Sequence, residues 1–357
     1  MTRAGILVLV LSCAVARPTL FAQKPVCDDA AVMALRGKWI ADSPPRPQNI
    51  TVEQYQQAAK RTDAAHLLLL EAYPELVGMQ EGRWWRTVGG SALDGAPGLL
   101  SYYYIGGLSQ YFCAPNASPD SILGKLGAPS RPVYVARAAE TNLMVHFNQL
   151  AGFLTGRAGM SIGGLQVFER PRAAGTWKGY DLYVREQNLA GDGTVVVVRK
   201  GMLPYRPVTR KQYLEYMIAS VERKFDDMVT AEKQALKDPN LSAFRAEAEQ
   251  RLADLLKLGN ERAVRYRAEL KQHTADRTLD TPAIVEGEGP DTFSTEEKGG
   301  KALVTVNPDY FRKDLPSYVP QVIVVHWQLQ EGVASRHFGK LVEASLPIEK
   351  FLAMIDR

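Results

Sequence analysis

Residues 195–217 read VVVVRKGMLPYRPVTRKQYLEYM, and the hydrophobic period changes partway along this stretch. The four consecutive valines are typical of a buried strand, because a strand covered on both faces reads as a continuous apolar run. Thr209 and Gln212 follow with the spacing of a capping box, which starts a helix by satisfying free backbone amides. The stretch therefore predicts a sheet before it and a long helix after it.

The chain before the valines is rich in short strand patterns. Apolar runs and alternations predict strands at 83–88, 100–105, 109–113, 132–137, 141–149, 165–169, 178–186 and 194–202. A helix that starts after Thr51 and ends before Pro74 precedes them. We therefore predict that residues 28–205 form an α+β domain, in which this helix covers one face of an antiparallel sheet.

Two helix patterns with the same apolar spacing predict a helical hairpin over residues 206–276. Apolar residues recur three and four positions apart in both patterns, and the sequence Asp-Pro-Asn at 238–240 separates them. Such spacing favours an antiparallel pair with a narrow, coiled-coil-like seam. In that seam we place Met217 and Val221 opposite Leu252 and Leu255.

The remainder of the chain predicts a connection and a small terminal unit. Residues 277–300 are rich in Gly, Glu, Pro and Thr, which is typical of a linker or mobile loop. Residues 301–357 hold two strand patterns and two short helix patterns, too few to bury a core alone. The predicted fold class is therefore α+β, with an antiparallel sheet domain, a long helical hairpin and a C-terminal α/β unit packed on the sheet.

The N-terminus has the pattern of a secretory signal peptide. Arg3 precedes an apolar run, and small residues allow cleavage after Ala16 or Ala22; we favour Ala22, which would remove residues 1–22. The run is shorter than the roughly 20 apolar residues that span a bilayer, and no later segment is long and apolar enough. We expect an exported protein, periplasmic or secreted, without a transmembrane segment. A lipid anchor on Cys13 is the alternative.

Export leaves Cys27 and Cys113 as the two cysteines of the mature chain, because Cys13 leaves with the signal. An oxidising compartment favours a disulfide between them, which would stabilise the fold by about 4 kcal/mol on the chain-entropy model. Two separate buried thiols are the alternative. Two cysteines give no support to a metal site.

The charge balance gives no support to nucleic-acid binding. Loss of Arg3 and Arg17 with the signal leaves 41 basic and 39 acidic side chains, a net charge of +2. Such a balance produces no field that would attract nucleic acid or an anionic membrane surface.

A serine motif is the first candidate for catalysis. Residues 159–163 match the Gly-x-Ser-x-Gly pattern of a nucleophile elbow, with Ser161 at its centre. An elbow needs a strand before the serine and a helix behind it, whose N-terminal amides help to form the oxyanion hole. Here a glycine-broken stretch precedes Ser161 and a strand pattern follows it, which favours a glycine-rich turn. A hydrolase would also need His326 or His337 as its base, and neither lies within a motif.

Other catalytic or metal-binding groups have weaker support. None of the five histidines has the spacing of a metal site, so we predict no metal and no other cofactor. Carboxylates are plentiful, but an acid–base pair cannot be chosen because its pairing is spatial. Glu140, just before the strand pattern 141–148, is the carboxylate candidate.

Two aromatic clusters, Trp84-Trp85 and Tyr102-Tyr103-Tyr104, lie on predicted strands. Neighbours in a strand point to opposite faces of its sheet, so each cluster places a ring on either face. If only one face is covered, Trp84 or Trp85 and one or two of the tyrosines could stack on a sugar, a peptide or another flat apolar ligand. In the alternative, both faces are covered.

These patterns favour a non-enzymatic protein of the cell envelope or exterior. It would bind a ligand or a protein partner through the aromatic clusters or the hairpin. Two alternatives stay open: a serine hydrolase using Ser161, and a structural component of an envelope assembly that self-associates through the hairpin.

Overall fold

A computed structural model describes residues 28–42, 50–88, 98–113, 134–150, 153–184, 192–238, 244–287, 289 and 291–357. Side chains are described for these residues except at 112, 113, 134–140 and 158. The predicted signal peptide, Cys13 and Cys27 lie outside the described residues, as do the side chains of Cys113 and Glu140.

The described chain contains helices and strands in the mixture expected of an α+β protein. The helices are α1 (Asp29–Met33), α2 (Val52–Ala72), α3 (Arg210–Ala235), α4 (Arg245–Ala275), α5 (Val333–Ser345) and α6 (Ile348–Leu352). The strands are β1 (Arg36–Ala41), β2 (Leu76–Val77), β3 (Met79–Val88), β4 (Tyr102–Cys113), β5 (Tyr134–Phe147), β6 (Thr155–Ile162), β7 (Leu165–Arg170), β8 (Ala173–Trp177), β9 (Tyr180–Tyr183), β10 (Gly193–Val197), β11 (Tyr205–Pro207), β12 (Ile284–Val285), β13 (Lys301–Val306) and β14 (Ile323–Gln328). The predicted fold class is confirmed.

The strands form two sheets. The larger has nine strands in the order β2-β1-β3-β4-β5-β14-β10-β9-β8, and its neighbours are antiparallel except β1 and β3. The smaller has the order β11-β13-β7-β6, with β12 also paired to β13. The predicted C-terminal unit is joined to both sheets, because β13 lies inside the smaller one and β14 near the middle of the larger one.

The two sheets and the helices form layers. Helices α1, α2, α5 and α6 cover one face of the nine-stranded sheet, where Phe147 and Trp327 are buried in the main core. The opposite face packs on the five-stranded sheet through a second core, which includes Val324 and Val304. A third core lies between the five-stranded sheet and the hairpin. Consecutive residues of β13, such as Leu303 and Val304, pack in different cores because the side chains of a strand alternate in direction.

The predicted hairpin is formed by α3 and α4. Thr209 caps α3 as predicted: its Oγ1 accepts from the Gln212 amide at 3.2 Å, and Gln212 Oε1 accepts from the Thr209 amide at 2.9 Å. Gly259 permits close contact of the helices, since a Cβ there would lie 2.7 Å from Cγ of Phe225.

The predicted register of the hairpin is wrong. Met217 and Val221 pack in the third core with Tyr266 and Leu270. Leu252 and Leu255 lie farther out, beyond the contact of Phe225 with Gly259. The apolar spacing identifies the seam of each helix, but it repeats every turn and therefore leaves the axial offset open.

The segment 277–300, predicted to be a linker or mobile loop, carries regular structure at its described residues. It contains β12 and a 3₁₀ turn at Glu296–Lys298. The amide of Ala283 donates to the Val208 carbonyl at 2.8 Å, and its carbonyl accepts from the Leu303 amide at 2.9 Å. Ala283 and Val285 are buried in the third core and Phe293 packs against it, so apolar side chains anchor a segment whose composition is mostly polar.

Candidate functional site

The aromatic clusters are divided between the two faces of the nine-stranded sheet. Tyr102 and Tyr104 are buried beneath the helices, and Tyr102 donates its phenol proton to the Tyr318 carbonyl at 2.9 Å. Trp84 packs at the edge of the same core. These three candidate rings therefore belong to the core on the helix side.

A histidine of α2 completes this aromatic group. The ring of His66 stacks on Trp84 with centroids 4.1 Å apart and meets the edge of Trp39 at 6.0 Å. Its Nδ1 lies 3.4 Å from the phenol oxygen of Tyr104. Burial lowers the pKa of His66, and the nearby carboxylate of Asp63 opposes this shift only in part. The neutral imidazole is thus the form that joins α2 to the sheet.

This geometry predicts a loss of stability in mild acid. The unfolded chain takes up a proton near the ordinary pKa of 6.5, whereas folded His66 resists protonation. Its stabilising contribution is complete above pH 6.5 and is lost as the pH falls toward the lower pKa of the folded state. We expect His66→Phe, which keeps a ring but cannot titrate, to show a shallower fall in unfolding free energy between pH 7 and pH 5, measured by urea denaturation. Equal slopes for the two proteins would contradict this assignment.

Four apolar side chains occupy the opposite face of the sheet. Trp85 on β3 pairs in register with Ile105 on β4, and Ile105 pairs with Met144 on β5. Tyr103 lies two residues from Ile105 and therefore on the same face. All four are partly exposed, and among the described residues none of them belongs to the three cores. We call Trp85, Tyr103, Ile105 and Met144 the aromatic face.

Polar side chains flank the aromatic face. The ring of His146 lies 5.3 Å from that of Tyr103, and its Nδ1 is 3.2 Å from Gln149 Oε1. His326, the register partner of Met144, has its Nδ1 2.8 Å from the hydroxyl of Thr194. Both histidines are buried. His326, a candidate base from the sequence, is therefore held within the sheet by a threonine.

Charged groups lie at the edge of this surface. Arg83 follows the alternation of Trp85 and is exposed, and its Nε is 2.6 Å from Oε1 of Glu81. The surface thus combines an apolar and aromatic centre with hydrogen-bonding groups beside it and an ion pair at its rim. Such an arrangement suits a ligand with one flat apolar side and a polar perimeter.

Ser161 lies in a different setting from that of a nucleophile elbow. It is exposed at the end of β6 and pairs with Gln166 of β7, and the two strands are joined directly by a turn. Gly163 and Gly164 form that turn with φ of 59° and 77°. A strand follows the turn instead of a helix, so helical amides for an oxyanion hole are missing behind Ser161.

The proposed partners of Ser161 lie on other elements. His326 belongs to β14 of the nine-stranded sheet, and His337 lies on α5 on the helix side of that sheet. In the part of the chain that the structure describes, no hydrogen bond joins Ser161 to a histidine. The side chain of Glu140 lies outside the described residues.

The described residues also give no metal centre and no membrane span. None of their His, Cys, Asp and Glu side chains form a group of three or more that could hold a metal ion. None of their helices is long and apolar enough to cross a bilayer.

The outer half of the hairpin is a second exposed surface. Its exposed apolar side chains are Met228, Phe244, Leu256 and Leu258, and Val264 is exposed nearer the base of the hairpin. A cavity of about 170 Å³ opens near its tip, lined by Ala235, Leu236, Asp238, Phe244, Arg245, Glu247, Ala248 and Arg251. These side chains point in different directions around the helix axes, so they do not form one continuous apolar stripe.

Sequence reasoning missed His66, although a signal was present. Thr62, Ala65 and Leu69 are buried on α2, and His66 lies four residues after the first of them. That spacing places it beside the buried stripe. A histidine at such a position, with tryptophans on the predicted strands, could have indicated the aromatic contact.

No protein-family model matches the chain, and no curated protein and no solved structure is similar enough to be matched. The aromatic face and the hairpin are therefore the features on which a functional proposal can rest.

Proposed function

We propose that this protein is an exported, non-enzymatic binding protein of the cell envelope or exterior, which holds its ligand or partner on the aromatic face. The observation that supports this most directly is the placement of Trp85, Tyr103, Ile105 and Met144. They lie in adjacent register positions on three paired strands, partly exposed and outside the described cores.

The chemistry of these residues favours recognition by stacking. Tryptophan and tyrosine offer large rigid contact areas, and fixing them costs little conformational entropy because each has two rotatable bonds. Strands β3, β4 and β5 are held by their neighbours, so the rings are arranged before a ligand arrives. The uncharged centre favours a neutral, flat-sided ligand such as a sugar or an uncharged peptide.

Native mass spectrometry of the mature protein, exported by its own signal and purified without denaturant, tests this proposal. We expect a discrete excess mass that is lost on denaturation. The double variant Trp85→Ala/Tyr103→Ala should lack that mass, because it removes both stacking surfaces. Phe244→Ala is the matched control, since it removes an exposed ring from the hairpin and should leave the bound mass in place.

The other outcomes separate the alternatives. The protein could instead be an oligomer that carries no extra mass and that Phe244→Ala converts to a monomer. That result would replace the proposal with a structural role through the hairpin. A bare monomer in every preparation would contradict ligand binding. A fluorophosphonate probe should leave Ser161 unlabelled, and labelling of the folded protein would favour a hydrolase.

The export part of the proposal has its own test. N-terminal sequencing of the mature protein should begin at Gln23, and thiol titration without reductant should find Cys27 and Cys113 blocked, because an oxidising compartment favours their disulfide. A retained N-terminus would contradict export, and two free thiols would contradict the disulfide.

A further inference from the structure

The base of the hairpin is closed by three polar side chains, which we call the base latch: Arg210, His273 and Thr278. Arg210 begins α3, His273 lies in the last turn of α4, and Thr278 follows α4. Nδ1 of His273 lies 2.7 Å from Oγ1 of Thr278 and 3.3 Å from Nη1 of Arg210. One imidazole nitrogen therefore contacts both other members of the latch.

The partners fix the protonation state of that nitrogen. A guanidinium group only donates hydrogen bonds, so Nδ1 of His273 must be the acceptor toward Arg210. The hydroxyl of Thr278 can donate to the same atom. The latch thus requires a neutral imidazole with its proton on Nε2.

The latch connects both helices to the segment after α4. The backbone amides of Arg210 and Lys211 donate to the carbonyls of Thr281 and Leu279, each at 3.0 Å. The amide of Thr278 donates to the His273 carbonyl at 3.0 Å. These backbone hydrogen bonds join the start of α3 and the end of α4 to the segment that carries Thr278, so a change in the contacts of His273 bears on both helix ends.

An aromatic ring packs against the same group. The guanidinium of Arg210 lies 4.8 Å from the ring centroid of Phe293, and the ring of His273 meets that of Phe293 edge-on at 5.0 Å. Nε of Arg210 is buried without a hydrogen-bond partner among the described residues. The guanidinium of Arg210 is therefore held partly by the ring of Phe293. A second positive charge placed beside it would be repelled.

Charged groups from each neighbouring element bear on His273. Arg210 comes from α3, Asp276 follows α4, and Glu269 of α4 accepts from the amide of Asp291 at 2.9 Å near Arg210. Burial, and then the charge of Arg210, lower the pKa of His273, while Asp276 acts in the opposite direction. Burial raises the pKa of Glu269, and the charge of Arg210 opposes that shift.

We propose that the base latch is an acid-sensitive switch of the hairpin. A proton taken from solvent at Nδ1 of His273 turns the acceptor into a donor that faces the guanidinium of Arg210, so the hydrogen bond from Arg210 is lost, whereas the hydroxyl of Thr278 can change its role and accept. The like charges of His273 and Arg210 then repel, and the base of the hairpin separates from the segment that follows α4. The inference does not depend on the ligand proposed for the aromatic face.

Amide hydrogen exchange across the base of the hairpin tests the switch. Exchange of the Arg210, Lys211 and Thr278 amides should be compared at pH 7.5 and pH 5.5 after correction for the intrinsic rate. The opening constant should rise by up to about tenfold at pH 5.5, one unit below the ordinary histidine pKa of 6.5, because only the open form takes the proton freely. Corrected exchange that is independent of pH would overturn the proposal.

Two variants identify the group responsible. His273→Asn places an amide oxygen near the position of Nδ1 and cannot titrate, so its corrected exchange should not change with pH. His66→Phe removes a different buried histidine and should leave the pH dependence at the hairpin base unchanged. A pH response that persists in His273→Asn, or disappears in His66→Phe, would overturn the assignment.

The wild-type imidazole gives an independent readout should His273→Asn fail to fold. Nitrogen chemical shifts of His273 should show a proton on Nε2 at pH 7.5 and titration below pH 6.5. A proton on Nδ1, or titration at or above 6.5, would overturn the proposal.

Discussion

Asn148→Ala should lower the free energy of unfolding by about 4 kcal/mol, because it leaves three buried backbone groups without partners. Asn148 is fully buried at the end of β5. Its amide nitrogen donates to the carbonyls of Leu100 and Val319 at 3.3 and 3.0 Å, and its Oδ1 accepts from the amide of Gln321 at 2.7 Å. One side chain thus joins the end of β5 to two other segments of the chain, one at Leu100 and one at residues 319–321.

The backbone at this position adds to the effect. Asn148 has φ of 57°, a left-handed conformation that asparagine tolerates better than alanine. Asn148→Gly separates the two contributions, since glycine accepts the conformation but supplies no hydrogen bonds. We expect it to be about 1 kcal/mol more stable than Asn148→Ala.

Urea denaturation of the two variants and the wild type measures these differences. Asn148→Asp serves as a further control, because it keeps an acceptor for Gln321 and loses both donated hydrogen bonds. A loss of less than about 1 kcal/mol in Asn148→Ala would mean that water or a neighbouring group replaces the side chain.

Gly193→Ala should lower the free energy of unfolding by about 3 kcal/mol, because the added methyl group has no space. Gly193 begins β10 and faces Trp327 of β14 in register. A Cβ at Gly193 would lie 2.0 Å from Cζ2 and 2.4 Å from Cε2 of that ring. Trp327 is itself buried in the main core, so the ring can move only by displacing its neighbours.

Gly175→Ala is the matched control for this substitution. Gly175 lies on β8 of the same sheet, and a Cβ there would have no atom within 4 Å. Thermal and urea unfolding should therefore leave this variant close to the wild type. In a Trp327→Leu background the cost of Gly193→Ala should shrink, because the clashing ring is gone. If Gly193→Ala lowers the free energy of unfolding as much in the Trp327→Leu background as in the wild type, the strain does not come from contact with this ring.

Local features of the fold were predictable from the sequence because they depend on neighbouring residues. The capping box at Thr209 requires only a residue three positions later, and the consecutive valines of β10 predict a buried strand. The order of the strands depends on distant partners. The insertion of β14 between β5 and β10 has no local signal, since His326 and Trp327 alternate faces as they would in any strand.

The candidate site was predictable to the same extent. Alternation along β3 and β4 placed Trp84 and Trp85 on opposite faces, and the structure assigns Trp84 to the helix side. The sequence could not choose between the two faces, because the choice depends on where α2 packs. The base latch was hidden for a similar reason, since Arg210 and His273 are brought together by the return of the hairpin.

The position of β14 also determines when the nine-stranded sheet can form in full. During synthesis β5 and β10 leave the ribosome long before residues 323–328, and until then both lack the neighbour that separates them in the finished sheet. Unpaired strand edges readily associate with other chains. The larger sheet is therefore closed near its middle by a strand that is translated well after both of its neighbours, and a nascent chain that lacks this strand presents two open edges to a chaperone or to another copy.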